Sequence, residues 1–209
     1  MSSAEITIEV VTIGVIGVLV VGIVAFSRNP RRPKQFFLRF AAKKMTATTV
    51  LSIRARQALG AAVVEEFCHN ARIQDRDVDA FVTHLWGLAC AANLPKWEKE
   101  GNALAITGLG DPLPRALVAR IGPSLAARLA GVLDLACEIS MSQIYAAYRP
   151  KQSDSYLQQA IAAAGLRIGL KKLPSVLLAH EAGTDGWGEP IANGDLAVWQ
   201  KAARDFIRS

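Results

Sequence analysis

The sequence predicts an all-α protein: a single transmembrane helix at the amino terminus, followed by a multi-helix cytoplasmic domain. Three observations predict it. Residues 10–26, VVTIGVIGVLVVGIVAF, carry no charge. The seven basic residues nearest this run all follow it and none precedes it. Beyond residue 45, apolar side chains recur at the 3.6-residue spacing of amphipathic helices, without the sustained alternation of a half-buried strand. The resulting division is 1–27 for a membrane anchor with a short non-cytoplasmic N-terminus, 28–45 for a basic amphipathic juxtamembrane segment, and 46–209 for the helical domain.

The composition fits a folded chain. Of 209 residues, 51% are hydrophobic and 20% charged, and the mean hydropathy is +0.23. That length holds one ordinary domain with an appendage and excludes a large multidomain enzyme. A net charge of +6 invites a nucleic-acid partner, but its distribution argues against one. Arg28, Arg31, Arg32, Lys34, Arg39, Lys43 and Lys44 lie in a stretch with no acidic residue, and residues 45–209 carry a net charge of only +1. The basicity belongs to one short segment, so no nucleic-acid partner is expected.

The apolar run is long enough to cross most of a hydrocarbon core of roughly 30 Å, at about 1.5 Å per helical residue. A cleavable secretory signal has a basic start and a small-x-small cleavage site. This chain starts with Glu5 and Glu9 and leaves the run through Ser27-Arg28-Asn29-Pro30, so the segment reads as a retained anchor. Lys and Arg flanking a span stay on the cytoplasmic side. The N-terminus is therefore expected outside, residues 28–209 inside, and the chain in the inner (cytoplasmic) membrane. Three cysteines, Cys68, Cys90 and Cys137, fit a reducing compartment better than a disulfide framework. Gly14, Gly17, Gly22 and Ala25 share one arc of the span and offer a surface for close helix–helix contact, hence a homo-oligomer, although their spacing is not GxxxG.

Pro30 and Pro33 stop the membrane helix from running on. Phe36, Phe37 and Phe40, set among Arg28, Arg31, Arg32, Lys34, Arg39, Lys43 and Lys44, suggest a short helix at the lipid surface, with rings in the headgroup boundary and cations drawn to anionic lipid. A solvated linker that merely sets topology is the competing reading.

Within the domain, a first helix is expected from about Thr48 to Asn70, with Leu51, Ala55, Leu59, Val63 and Phe67 in an i+4 row. A second, capped by Asp75, carries a stripe from Val78 to Ala92 and packs on the first. A polar stretch, Lys96 to Asn102, separates these from a short helix opening at Asp111-Pro112 and ending at Arg120. Gly122-Pro123 opens a long helix to about Tyr148, expected to be the central element. Further helices are expected from Ser153 to Ala164, from Pro174 to Ala182, and from an Asp195 cap to Ile207.

No motif identifies a reaction, so no catalytic residue is assigned. Glu66 and His69 have the E-x-x-H spacing of di-iron bundles, but such a site needs a second pair and facing carboxylates, and the chain has three histidines. His84 lies at the edge of the second helix's stripe and reads as structural. Neither CxxC nor HxxxH occurs, and neither metal nor cofactor is expected. The stretch most like a site is the glycine-rich loop His180–Pro190, where His180, Asp185, Trp187 and Glu189 form a candidate binding loop. The alternative is that its glycines supply turns and Trp187 plugs the domain.

The sequence thus points to a single-pass membrane-anchored adaptor or structural subunit of a bacterial inner-membrane assembly of the secretion, conjugation or defence type. Its partners would be the lipid bilayer and other proteins of a complex. Bacterial origin rests on alanine richness and the machinery on architecture alone. Two alternatives stand beside it: a membrane-tethered enzyme, a hydrolase using His180 with Asp185 or Glu189 or a metal-dependent one using Glu66 with His69, and an oligomerising effector that permeabilises the membrane.

Overall fold

Ser52 starts the domain's first helix: its hydroxyl oxygen accepts the Ala55 N–H at 3.1 Å, satisfying a donor that the helix itself cannot. The structure, a computed structural model, describes residues 51–145, 149–168 and 173–209. The predicted anchor 1–27 and basic segment 28–45, including Gly14, Gly17, Gly22, Ala25 and the cluster from Arg28 to Lys44, lie outside the described residues. Among the described residues the fold is all-α, without a strand, and no helix is long and apolar enough to cross a membrane. The helices are α1 (Ile53–Ala71), α2 (Arg76–Gly87), α3 (Leu94–Gly101), α4 (Arg115–Ile121), α5 (Pro123–Ile144), α6 (Pro150–Ala163), α7 (Ser175–Leu178) and α8 (Leu196–Arg208). Single 3₁₀ turns lie at Leu88–Cys90 and Asn193–Asp195.

The centre of the domain is α1, not the long α5. It touches α2, α5, α6 and α8, and its twelve residues from Ile53 to Val64 are all buried. Ala55, Ala58, Gly60, Ala61 and Ala62 make this geometry: small side chains on several faces let neighbouring helices close in. At Gly60 a Cβ would fall 2.5 Å from Ile139 Cδ1 of α5, so this position sets how near α5 lies. One face of α5 turns inward, with Leu129, Val132, Leu133, Ala136 and Ser140 buried. Its other face remains outside, which makes it a wall.

The far end of α1 closes in a Schellman motif. Arg72 takes a left-handed conformation (φ 55°), the Ile73 N–H donates to Cys68 O at 2.8 Å, and the Arg72 N–H donates to His69 O at 3.1 Å. Asp75 caps α2 as expected, its Oδ1 accepting the N–H groups of Asp77 and Val78 at 2.9 and 3.2 Å. In α8, Trp199, Ala203, Phe206 and Ile207 bury one face against α1.

Several expected boundaries move. The first helix begins at Ile53 rather than Thr48, because Ser52 is its cap. The polar stretch Lys96–Asn102 belongs largely to α3, which Asn93 caps (Oδ1 to the Lys96 N–H, 2.8 Å) and which Trp97 anchors to the interior. Asp111 does not cap α4; its carboxylate accepts from Thr107 Oγ1 at 2.8 Å, and α4 starts later, at Arg115. The stripe of α2 runs on beyond Gly87 as the 3₁₀ turn Leu88–Cys90, while α7 stops at Leu178 and leaves His180 to the following loop.

Candidate functional site

Two hollows run along α2. The larger, about 830 Å³, is bounded by the C-terminal half of α1 (Glu65, Cys68, His69), by α2 (Val78, Val82, Thr83, Trp86) and by α8 (Leu196, Gln200, Arg204). The smaller, about 520 Å³, lies between the end of α2, α3 and the turn before α8. Gly87 and Leu196 line both. At Gly87, on the border of both, a Cβ would meet nothing within 4 Å, and the two open hollows are adjoining parts of a groove along α2.

The groove is braced by one charged knot. Glu65 of α1 accepts two hydrogen bonds from Arg204 of α8, Nε to Oε2 at 2.7 Å and Nη2 to Oε1 at 2.8 Å. Its Oε1 also accepts from Trp86 Nε1 of α2 at 2.9 Å, and the Arg204 guanidinium lies 5.6 Å from the Trp86 ring centroid. A bidentate Arg–carboxylate pair fixes direction as well as distance, and here it locks three helices. The hydrogen bonds to Glu65 hold the Arg204 pKa above its ordinary value.

At the smaller hollow, His84 stacks on Trp97 with centroids 4.4 Å apart, while Trp97 Nε1 donates to the His84 carbonyl at 2.9 Å. Burial pushes the His84 imidazole below its ordinary value of 6.5. A base with a depressed folded pKa contributes stability above the unfolded value that is lost as pH falls below about 6.5, where the unfolded chain takes up the proton first. Melting temperature is therefore expected to drop between pH 7 and 5.5. In His84→Phe, which keeps a stacked ring and removes the titration, scanning calorimetry should show a shallower fall.

Burial disfavours the thiolate form of all three cysteines. It pushes Cys68 and Cys137 up to about 12, and raises Cys90 as well.

The glycine-rich loop forms a clasp on the start of α1. The Gly186 carbonyl accepts the Ile53 N–H at 2.8 Å, and Arg54 Nε donates to the Gly188 carbonyl at 2.9 Å. Arg54 Nη1 also donates to the Leu88 carbonyl, so this buried guanidinium pins three segments, and burial lowers its pKa. Trp187 is 8% exposed and packs with Ile53, Leu88 and Trp97 in a small core of its own. Gly188 has φ 71° and sits where a Cβ would come 2.5 Å from the Glu181 carbonyl oxygen, so the clasp closes only over glycine.

His180 joins this clasp through both ring nitrogens. Its Nε2 lies 2.8 Å from the Glu189 carbonyl oxygen, which can only accept. Nε2 therefore carries a proton, and Nδ1 lies 2.7 Å from the Ser52 hydroxyl. A serine on a histidine resembles a nucleophile and its base, but Ser52 is 0% exposed and its oxygen is engaged as the α1 cap. The carboxylates paired with His180 in the hydrolase reading do not orient it: Asp185 accepts the Trp187 N–H at 3.0 Å, and Glu189 supplies only its backbone. Of the four loop residues, His180 and Trp187 turn inward, while Asp185 and Glu189 are exposed.

The E-x-x-H pair is likewise split. Glu66 is held by Arg208 Nε at 2.8 Å, whereas His69 is exposed in the last turn of α1 and lines the groove. Among the described residues no group of three His, Cys, Asp or Glu side chains is placed to hold a metal ion. Sequence reasoning missed Ser52, Arg54 and Arg56 at the head of α1; three polar residues interrupting an otherwise small and apolar run were the available signal. No known protein family, curated protein or solved structure matches this chain.

Proposed function

We propose that this chain is a single-pass bacterial inner-membrane protein with its N-terminus outside and its helical domain in the cytoplasm. It works by binding other proteins, as an adaptor or structural subunit of a membrane assembly of the secretion, conjugation or defence type. Residues 1–27 anchor it, residues 28–45 lie against anionic lipid, and a partner segment docks in the groove along α2. The uncharged run with its one-sided basic flank supports the anchoring. The groove is the observation that carries the binding role: it is open along its length, mixes apolar floor with polar rim, and is braced by the Glu65–Arg204–Trp86 knot so that its shape is set in advance.

Gly87 suits the test, because a Cβ there meets nothing within 4 Å. A photo-crosslinking residue at Thr83, on the groove's exposed rim, is expected to capture a defined partner in native membranes. Gly87→Trp should abolish that adduct while changing stability by no more than about 0.5 kcal/mol. An adduct pattern indifferent to Gly87→Trp would remove the groove from the account.

A further inference from the structure

Asn193-Gly194 is the one Asn-Gly pair in the chain, and the fold leaves it open. Ala192, Asn193, Gly194 and Asp195 are all exposed, on the single 3₁₀ turn that leads into α8. Among the described residues the Asn193 side-chain amide makes no hydrogen bond, and neither does the Gly194 N–H. At Gly194 a Cβ would meet nothing within 4 Å, so nothing crowds the peptide bond between the two.

The other described asparagines sit differently. Asn93 Oδ1 is held by the Lys96 N–H at 2.8 Å as the cap of α3, Asn70 lies in the last turn of α1, and Asn102 ends α3. Leu94, Ala71 and Ala103 follow them, each with a Cβ that hinders its own nitrogen from closing on the preceding side chain; glycine has none. The turn at Asn193 is a weak restraint. Bringing the Gly194 nitrogen onto Asn193 Cγ opens its two hydrogen bonds, Asp195 N–H to Ala192 O at 2.9 Å and Leu196 N–H to Asn193 O. Opening one exposed turn is a local event at the low end of the stability range.

We propose that Asn193-Gly194 is a site of spontaneous covalent modification, at which the folded chain converts Asn193 to aspartate and isoaspartate. The Gly194 nitrogen attacks Asn193 Cγ and gives up its proton. The new N–Cγ bond closes a five-membered succinimide, while the Cγ–Nδ2 bond breaks and ammonia leaves with that proton. Water then opens the ring: addition at Cγ restores the ordinary main chain as aspartate, and addition at the Asn193 carbonyl carbon routes the main chain through the side chain as isoaspartate. Water is consumed and ammonia released in equal amounts, with no oxidant or reductant.

Either product carries a negative charge that asparagine lacks. Asn193 borders the smaller hollow with Lys96 and Glu100, so the charge arrives at the edge of the groove. Isoaspartate also lengthens the main chain by a methylene just before Leu196, which lines both hollows. The reaction itself is independent of any partner in the groove.

The test holds the full chain in maltoside detergent at neutral pH and 37 °C and follows each asparagine by mass spectrometry of peptides cut at successive times, with the time-zero digest as baseline. Conversion at 193 is expected to yield both acids and to run about tenfold or more faster than at Asn70, Asn93 or Asn102, whose following residues carry a Cβ. Gly194→Ala is the decisive variant. Its Cβ meets nothing within 4 Å and the φ of residue 194 lies outside the left-handed region, so it should keep the parent's melting temperature while slowing conversion about tenfold. Conversion at 193 no faster than at the other three asparagines, or a rate unchanged by Gly194→Ala, overturns the proposal.

Discussion

Trp187→Ala is expected to lower the stability of the helical domain by about 3–5 kcal/mol, the usual loss when a buried indole is cut to a methyl group. The indole, 8% exposed, fills a small core with Ile53, Leu88 and Trp97, away from the main core around α1. Its removal leaves a cavity and loosens the clasp, because the neighbouring Gly186 and Gly188 carbonyls hold α1 only while the loop is in place. Urea unfolding of the parent and variant measures the loss. If the loop were instead an exposed binding surface, the same substitution would leave the unfolding midpoint within experimental scatter and change only partner capture.

Arg54→Met should destabilise by about 3 kcal/mol. Hydrogen bonds from a charged donor contribute about 1.5–3 kcal/mol each, and this guanidinium supplies two, to the carbonyls of Leu88 and Gly188. Methionine fills much of the volume and leaves both carbonyls unpaired inside the domain. Arg54→Lys keeps the charge without the fork, so it should recover only part of the loss. With a typical domain stability of about 5–15 kcal/mol, combining Trp187→Ala with Arg54→Met should leave the domain unfolded at 37 °C, a result that circular dichroism reads directly. Because both residues belong to the one clasp, the two losses are not expected to add fully.

The helical class and the positions of α2, α5 and α8 were legible because their apolar residues repeat along one face: Val78, Phe81, Val82 and Leu85 in α2, or Trp199, Ala203 and Phe206 in α8. The centrality of α1 was not. An i+4 row names one buried face, and alanine and glycine on the remaining faces are silent in such a pattern although they decide how many helices can approach. α3 escaped for the opposite reason, since Trp97 is its one buried residue and a single apolar position has no period. The clasp and the groove join residues far apart in the chain. Ser52 meets His180 across 128 positions, and Glu65 meets Arg204 across 139, distances over which spacing carries no information. The Glu66–His69 spacing was real, but each member found its surroundings in tertiary structure: Glu66 went to Arg208, and His69 to the groove rim.

Everything proposed for this chain places the helical domain inside the cell, tethered by residues 10–26. The most direct measurement is protease treatment of spheroplasts carrying the protein with a tag after Ser209, read with the membrane and soluble fractions side by side. The account predicts that the tag sediments with membranes, resists alkaline carbonate, and survives external protease until the spheroplasts are lysed. Digestion of the tag in intact spheroplasts, or recovery of the whole chain in the soluble fraction without detergent, would contradict it.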